Sequence, residues 1–257
     1  MFKNETAATH SGMIDIHAHI LPGFDDGAKS LSDAMIMAEM AAESGVSTIV
    51  ATPHVHSSES VRLEMVEAGV KALCQKQLAA GTEIAVFPGM EIMTDDAVPS
   101  LLTKGKLGTL NASRYPLLEF AFSEQPERMT RLLMRTASEG FVPIVAHLER
   151  YYAVQDMPEL AAGWGRSGLL LQLDKGSLFG RMGERAARCA RTLLNMRCIH
   201  VIASDAHGPA ERTASLYRTQ EYVALRYSYE YAQLLLEVNP RAILLNQPVL
   251  QPALEGI

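Results

Sequence analysis

Short apolar runs of four to six residues recur along the chain, separated by longer stretches of helical periodicity. Met13 to Ile16, Val46 to Ala51, Glu83 to Phe87, Tyr115 to Glu119, Phe141 to Ala146, Leu169 to Leu173 and Ile199 to Ala203 read as strands, rich in β-branched and aliphatic side chains. Between them, residues 30–44, 58–80, 96–104, 125–139 and 182–196 read as helices. Gly45, Gly81 and Gly140 stand where three of these must stop. The stretch 213–245 is helical too, with Asn239-Pro240 opening its last helix.

Strands and helices that alternate at these lengths imply parallel strands joined by right-handed crossovers. The pattern shows no repeat, low-complexity tract or change of composition, so residues 13–257 are expected to form one domain behind an N-terminal extension, residues 1–12. A closed or nearly closed α/β barrel is the favoured architecture. A doubly wound open sheet is the alternative, although no glycine-rich fingerprint follows the first strand.

The strand ends change the picture from fold to chemistry. His17 and His19 lie one residue apart where the first strand stops, so an extended backbone aims both the same way. Asp26 lies in the turn-rich loop that follows, and His54 comes just after the second strand. Glu91, Glu119 and His147 end the next three, and Asp205 and His207 follow Ile199 to Ala203. Five of the chain's eight histidines stand at such positions, with four carboxylates. In a βα barrel these ends converge on one face, where active sites form. Nine nitrogen and oxygen donors exceed what one tetrahedral zinc takes and suit about two or three ions bridged by carboxylate. Mixed His/carboxylate ligation favours Mn, Fe or Zn. Such ions suggest hydrolysis of a phosphate ester, one generating hydroxide near neutral pH and the others holding phosphoryl oxygens.

Composition narrows this further. A net charge of −6 and a pI near 5.8 argue against a nucleic-acid partner. No apolar stretch reaches the ~18 residues of a spanning helix, and the N-terminus lacks a signal-peptide core, so a cytoplasmic protein without membrane insertion is expected. Three cysteines in no paired spacing agree with a reducing compartment. They also exclude one mechanism: cysteine-based tyrosine phosphatases need an arginine six positions on, and Ala80, Asn195 and Ser204 stand at that offset from Cys74, Cys189 and Cys198. Arg181, Arg185, Arg188 and Arg191 give a helix that is either a solvated face or a docking surface for an acidic or phosphorylated partner.

The segments Asp15-Ile-His-Ala-His19, Asp25-Asp26-Gly27, Thr52-Pro-His54, Gly89-Met-Glu91, Leu118-Glu-Phe120, Ala146-His-Leu-Glu-Arg-Tyr151 and Ala203-Ser-Asp-Ala-His207 together resemble the PHP (polymerase and histidinol phosphatase) superfamily. Within it they look most like the bacterial manganese-dependent protein-tyrosine phosphatases of capsule and exopolysaccharide biosynthesis. The likeness runs from about residue 13 to 246. It implies a distorted (β/α)7 barrel with a trinuclear site. One ion would be held by His17, His19, Glu91 and Asp205, a second by Glu91, Glu119 and His147, and a third by Asp26, His54 and His207. The family's phosphate-binding arginines fall on Arg150 and Arg212. From the residues themselves, a metal-bound water or a nearby histidine is the expected proton donor to the leaving group, with Asp205 and His56 as lesser candidates. One departure is Val55, where this branch often has histidine or arginine; His56 follows it. Arg150 also has a plainer reading, a surface ion pair with Glu149.

Three functions follow. The first is a metal-dependent phosphatase acting on a phosphotyrosine protein, a bacterial tyrosine kinase. The second is a small-molecule phosphomonoesterase resembling histidinol phosphatase. The third is a non-catalytic, metal-stapled regulator.

Overall fold

Parallel strands carry the chain, as the alternation predicts. The computed structural model describes residues 11–58, 62–82 and 84–252. Most of the N-terminal extension therefore lies outside the described residues, as do Glu83 and part of the stretch before the second helix.

The strands are β1 (Met13–Ala18), β2 (Val46–Ala51), β3 (His54–His56), β4 (Ala85–Pro88), β5 (Glu91–Met93), β6 (Leu117–Glu119), β7 (Ile144–Val145), β8 (Leu170–Asp174) and β9 (Val201–Ala203). They pair in parallel as β1-β2-β4 and as β3-β5-β6-β7-β8-β9. The expected single ring is thus drawn as two sheets, and local chemistry explains the cut. Thr52-Pro53 separates β2 from β3, and Gly89-Met90 separates β4 from β5; proline has no N–H to give a ladder. Hydrogen bonds still cross both breaks, from Gly89 N to Ala51 O at 2.9 Å and from Glu91 N to Pro53 O at 3.1 Å. At the other end, His19 N donates to Ala206 O at 2.8 Å, and Ala18 bridges Ala206 in parallel.

The helices are α1 (Leu31–Glu43), α2 (Leu63–Ala80), α3 (Val98–Thr103), α4 (Pro126–Ser138), α5 (Tyr152–Asp156), α6 (Glu159–Arg166), α7 (Lys175–Leu178), α8 (Glu184–Asn195), α9 (Tyr217–Arg226), α10 (Tyr229–Gln233) and α11 (Asn239–Leu244). In α1 the Ser30 hydroxyl accepts from Asp33 N, and Ala34, Met37, Ala38 and Ala41 form the buried stripe. The helix expected over 58–80 begins only at Leu63 and ends where Gly81 adopts φ 75°. Between β7 and β8 the sequence pattern marks no element. A short turn at Leu148–Arg150 with α5 and α6 fills that gap, in pieces too short to show periodicity. Among the described residues no helix is long and apolar enough to cross a membrane.

Two apolar clusters hold the layers. The larger joins the helices to the outer faces of the strands. The smaller gathers Ile16 of β1, Val50 of β2, Phe87 of β4, Leu117 of β6, Ile144 of β7, Leu170 of β8 and Val201 of β9. Strands of both sheets therefore share one inner core.

Candidate metal centre

All nine side chains singled out at the strand ends meet in one place. His17, His19, Glu91 and Asp205 form a buried group whose ligand atoms lie within 4.8 Å of one another. His17 Nε2 and His19 Nε2 are 3.2 Å apart. Glu91 Oε2 lies 3.1 and 3.2 Å from these nitrogens, and Asp205 Oδ1 lies 3.4 Å from each. Ligands about 2.1 Å from a common ion, spaced as in octahedral or tetrahedral sites, sit roughly 3.0–3.5 Å apart. The group fits that spacing.

His54, Glu91 and Glu119 form a second group. His147 joins it, its Nε2 2.8 Å from Glu91 Oε1 and 3.5 Å from Glu119 Oε1. The third, at the mouth, brings His19, His54 and His207 to Asp26, whose side chain is 65% exposed. His54 faces both ways, Nδ1 3.0 Å from Glu91 and Nε2 3.6 Å from Asp26.

Glu91 Oε2 is buried and accepts no hydrogen bond, although nitrogens of His17, His19 and His54 stand 3.0–3.2 Å away. Donor atoms crowded this closely around one carboxylate oxygen are spaced as ligands around a cation would be. Burial alone would discourage charge here, but opposite charges overcome it. His19 is pushed well above the usual imidazole range by Asp205, Asp25 and Glu91, and His54 is pushed up to about 10 by Glu119 and Glu91. Glu91 and Asp205 are held well below the carboxylate range by the imidazoles, His17 foremost. His207, buried and beside His19, is lowered to about 4.

Neighbours that the strand-end pattern did not single out fix these ligands. Asp25 Oδ2 accepts from His19 Nδ1 at 2.7 Å and from His54 N at 2.9 Å, while its Oδ1 accepts from Gly27 N at 2.9 Å. Despite burial, those donors lower its carboxyl to about 2. Gln172 Oε1, on β8, is 3.1 Å from His17 Nδ1 and accepts from His147 N at 3.0 Å. Asp15 Oδ1 accepts from Ser204 N at 2.9 Å and so seats the loop that carries Asp205. The doubled aspartate beside Gly27 was the one sequence signal for Asp25.

The arginines converge on the same edge. Arg150 Nη1 lies 3.3 Å from Asp205 Oδ2, and Arg212 Nη2 pairs with that same oxygen. Arg150 also lies 4.3 Å over the Phe122 ring. Glu149 is not its partner. That carboxyl is fully buried, accepts the Ser177 hydroxyl at 2.6 Å, and is raised to about 7 by burial and Asp174. His147, Asp205 and Arg212 have positive φ of 30°, 49° and 47°. Such backbone costs about 1 kcal/mol or more per residue and persists only where surroundings impose it. His56 sits exposed in β3, outside the three groups. The cysteines stand apart: burial pushes Cys189 up to about 12 and Cys198 up to about 11, so neither is a ready nucleophile.

Residues 13–245 match the family model for the capsular polysaccharide synthesis proteins CpsB/CapC. The chain belongs to the CpsB/CapC family. It is 33% identical over 241 residues to the tyrosine-protein phosphatase YwqE of Bacillus subtilis, covering 92% of this chain and 93% of YwqE. It is 31% identical over 248 residues to the tyrosine-protein phosphatase CpsB of Streptococcus pneumoniae, covering 91% and 99%. A solved structure from work on YwqE and CpsB, described as unique metal-dependent tyrosine phosphatases, superposes with a TM-score of 0.87 at 31% identity, over 94% of this CpsB/CapC chain and 99% of that one. The phosphotriesterase homology protein of Escherichia coli shares the fold alone, with a TM-score of 0.57 at 12% identity over 91% and 98% of the two chains.

Proposed function

We propose that this CpsB/CapC chain is a metal-dependent protein-tyrosine phosphatase, acting in the cytoplasm on a bacterial tyrosine kinase of capsule or exopolysaccharide synthesis. The chain is similar to the tyrosine-protein phosphatases YwqE and CpsB along nearly their whole length. The observation that carries the reading is Glu91 Oε2, ringed by imidazole nitrogens yet without a hydrogen bond.

The ligand sets we assign are His17, His19, Glu91 and Asp205; Glu91, Glu119 and His147; and Asp26, His54 and His207. His54 is shared in space between the last two groups, and its two nitrogens let it serve either. Hard and borderline donors without thiolate suit Mn²⁺, with Fe or Zn as substitutes. When bound, such cations supply a nucleophile at neutral pH and neutralise charge on the phosphoryl oxygens. Around them, Arg150 and Arg212 grip Asp205 Oδ2 with one nitrogen each and keep further donors for the phosphate. Asp205, held in ionised form by the imidazoles of His17 and His19, positions both guanidinium groups. Tyrosinate leaves with a pKa of about 10, so a strong acid at the leaving oxygen is less needed than for an alkyl ester.

The architecture we infer is one distorted seven-stranded barrel in a single domain, residues 13–257. The hydrogen bonds across the two strand breaks, the Ala18–Ala206 bridge and the shared inner core support it. The test of function is substrate preference with Mn²⁺ supplied. A phosphotyrosine peptide is expected to be hydrolysed in preference to histidinol phosphate. The opposite preference establishes the small-molecule phosphomonoesterase instead.

A further inference from the structure

The arginine-rich run resolves into two parts. Arg185 pairs with Asp156, and Arg188 and Arg191 both reach Glu184, all on the surface. These three are a solvated face. Arg181 precedes α8 and pairs with no carboxylate among the described residues. It lines a cavity of about 200 Å³ together with Arg218, Phe179, Ser204 and Arg212. Arg218 is likewise without an acidic partner among the described residues, and its guanidinium lies 5.0 Å over the Phe179 ring. Stacked in that way, a guanidinium keeps its in-plane donors available.

The cavity adjoins the metal centre through Arg212 and Ser204. Arg212 holds Asp205, and Ser204 is the residue before it. The other charges lining it are Lys175 and Asp174, which offset each other. Lys175 Nζ donates to the carbonyls of Thr213 and Ser215, and its charge offsets buried Asp15 and Asp174. Asp174 accepts from Gly176 N at 2.6 Å through Oδ1, and its buried Oδ2 accepts no hydrogen bond. What remains is two uncompensated guanidinium groups facing a pocket beside the reacting centre, in a chain whose net charge is −6.

We propose that this cavity is a subsite for a second anionic group of the substrate, a carboxylate or phosphoryl group flanking the phosphotyrosine, held by Arg181 and Arg218. The proposal rests on the phosphatase reading above and deepens it: the enzyme selects phosphotyrosines with anionic neighbours. Arginine meets both groups with paired N–H donors, and at a partly exposed site two such contacts are expected to give about tenfold selectivity.

The test uses the full chain with Mn²⁺ and three peptides that share one phosphotyrosine but carry alanine, glutamate or phosphoserine flanks. The expected result is a kcat/KM about tenfold higher for an anionic flank than for the alanine flank, falling with added salt. The double variant Arg181→Ala, Arg218→Ala should bring the ratio near one, and Arg181→Glu, Arg218→Glu should invert it. The ratio is internal to each variant, so a general loss of activity leaves it readable. Preference for phosphoserine alone identifies a phosphoryl group, and preference for both identifies any anion. Equal turnover of all three peptides by wild type, or a preference that survives the double variant, overturns the subsite. Failure to turn over any peptide with any metal refutes the phosphatase reading itself.

Discussion

Replacing Asp25 by asparagine removes one charge and turns one acceptor into a donor. The native carboxylate receives three N–H groups, from the His19 ring, the His54 backbone and the Gly27 backbone. An amide presents its oxygen to one side only, so its NH₂ must face an N–H on the other. The carboxyl sits at about 2 against an ordinary 3.8, and at 1.36 kcal/mol per unit that is about 2 kcal/mol of stability. Because the folded value is depressed, this contribution is full above pH 3.8 and is lost as pH falls through about 2. Asp25→Asn should therefore unfold about 2 kcal/mol more easily than wild type in urea at pH 7, with the gap closing toward pH 2. The effect on metal should be the larger one. The Asp25 bond keeps the proton on His19 Nδ1 and leaves Nε2 for the centre, and losing such a partner typically costs about 10- to 100-fold in metal affinity. Titration calorimetry with Mn²⁺ reads this directly. Wild-type affinity together with a stability loss below about 0.5 kcal/mol would falsify the orienting role.

Other positions give sharper steric or electrostatic tests. In Gly27→Ala the new Cβ would stand 2.1 Å from His19 O and 2.9 Å from Asp25 Oδ1, so the loop must shift; activity should fall at least about tenfold while circular dichroism stays native. Arg150→Lys forfeits the planar fork and should lower kcat/KM on a phosphotyrosine peptide by about 10- to 100-fold. Phe122→Leu, which removes only the face beneath Arg150, should cost about three- to tenfold, and a loss as large as that of Arg150→Lys would show that Phe122 does more than seat the arginine. His54, pushed up to about 10, and His19, pushed well above the usual imidazole range, hold protons in the metal-free protein, so metal binding should release protons and tighten as pH rises. Calorimetry in buffers of different ionisation enthalpy checks this, and a binding enthalpy independent of buffer contradicts it. In the metal-free protein His54 contributes stability that is full below its unfolded value of 6.5 and lost as pH rises through about 10.

The site was legible in the sequence because its ligands obey strand logic. His17 and His19 share a spacing of two, and Glu91, Glu119, His147 and Asp205 each follow an apolar run that needs no tertiary knowledge to see. What could not be read is what depends on the third dimension. Nothing local tells that Asp25 turns to His19 while Asp26 faces the mouth, or that Gln172 spans His17 and His147. Glu149 beside Arg150 looks like half of a surface pair, yet the turn at Leu148–Arg150 drives it into the interior and sends the arginine to Asp205. The positive φ of His147, Asp205 and Arg212 is equally invisible, since none is a glycine. The strand breaks at Thr52-Pro53 and Gly89-Met90 were written in the sequence as a proline and a glycine, but their outcome, two sheets around one core, needed the pairing.

The centre itself is tested most directly by counting metal and turnover in the same samples. Wild type and Glu91→Gln, a near-isosteric change at a carboxylate within 3.2 Å of His17, His19, His54 and His147, would be stripped with chelator, reloaded with Mn²⁺, and assayed by elemental analysis and on a phosphotyrosine peptide. Wild type is expected to regain about two or three ions per chain and full activity together, whereas Glu91→Gln regains fewer ions and at most about one-hundredth of the turnover. A stripped wild type that hydrolyses the peptide unaided, or a Glu91→Gln chain that matches wild type in both measurements, contradicts it.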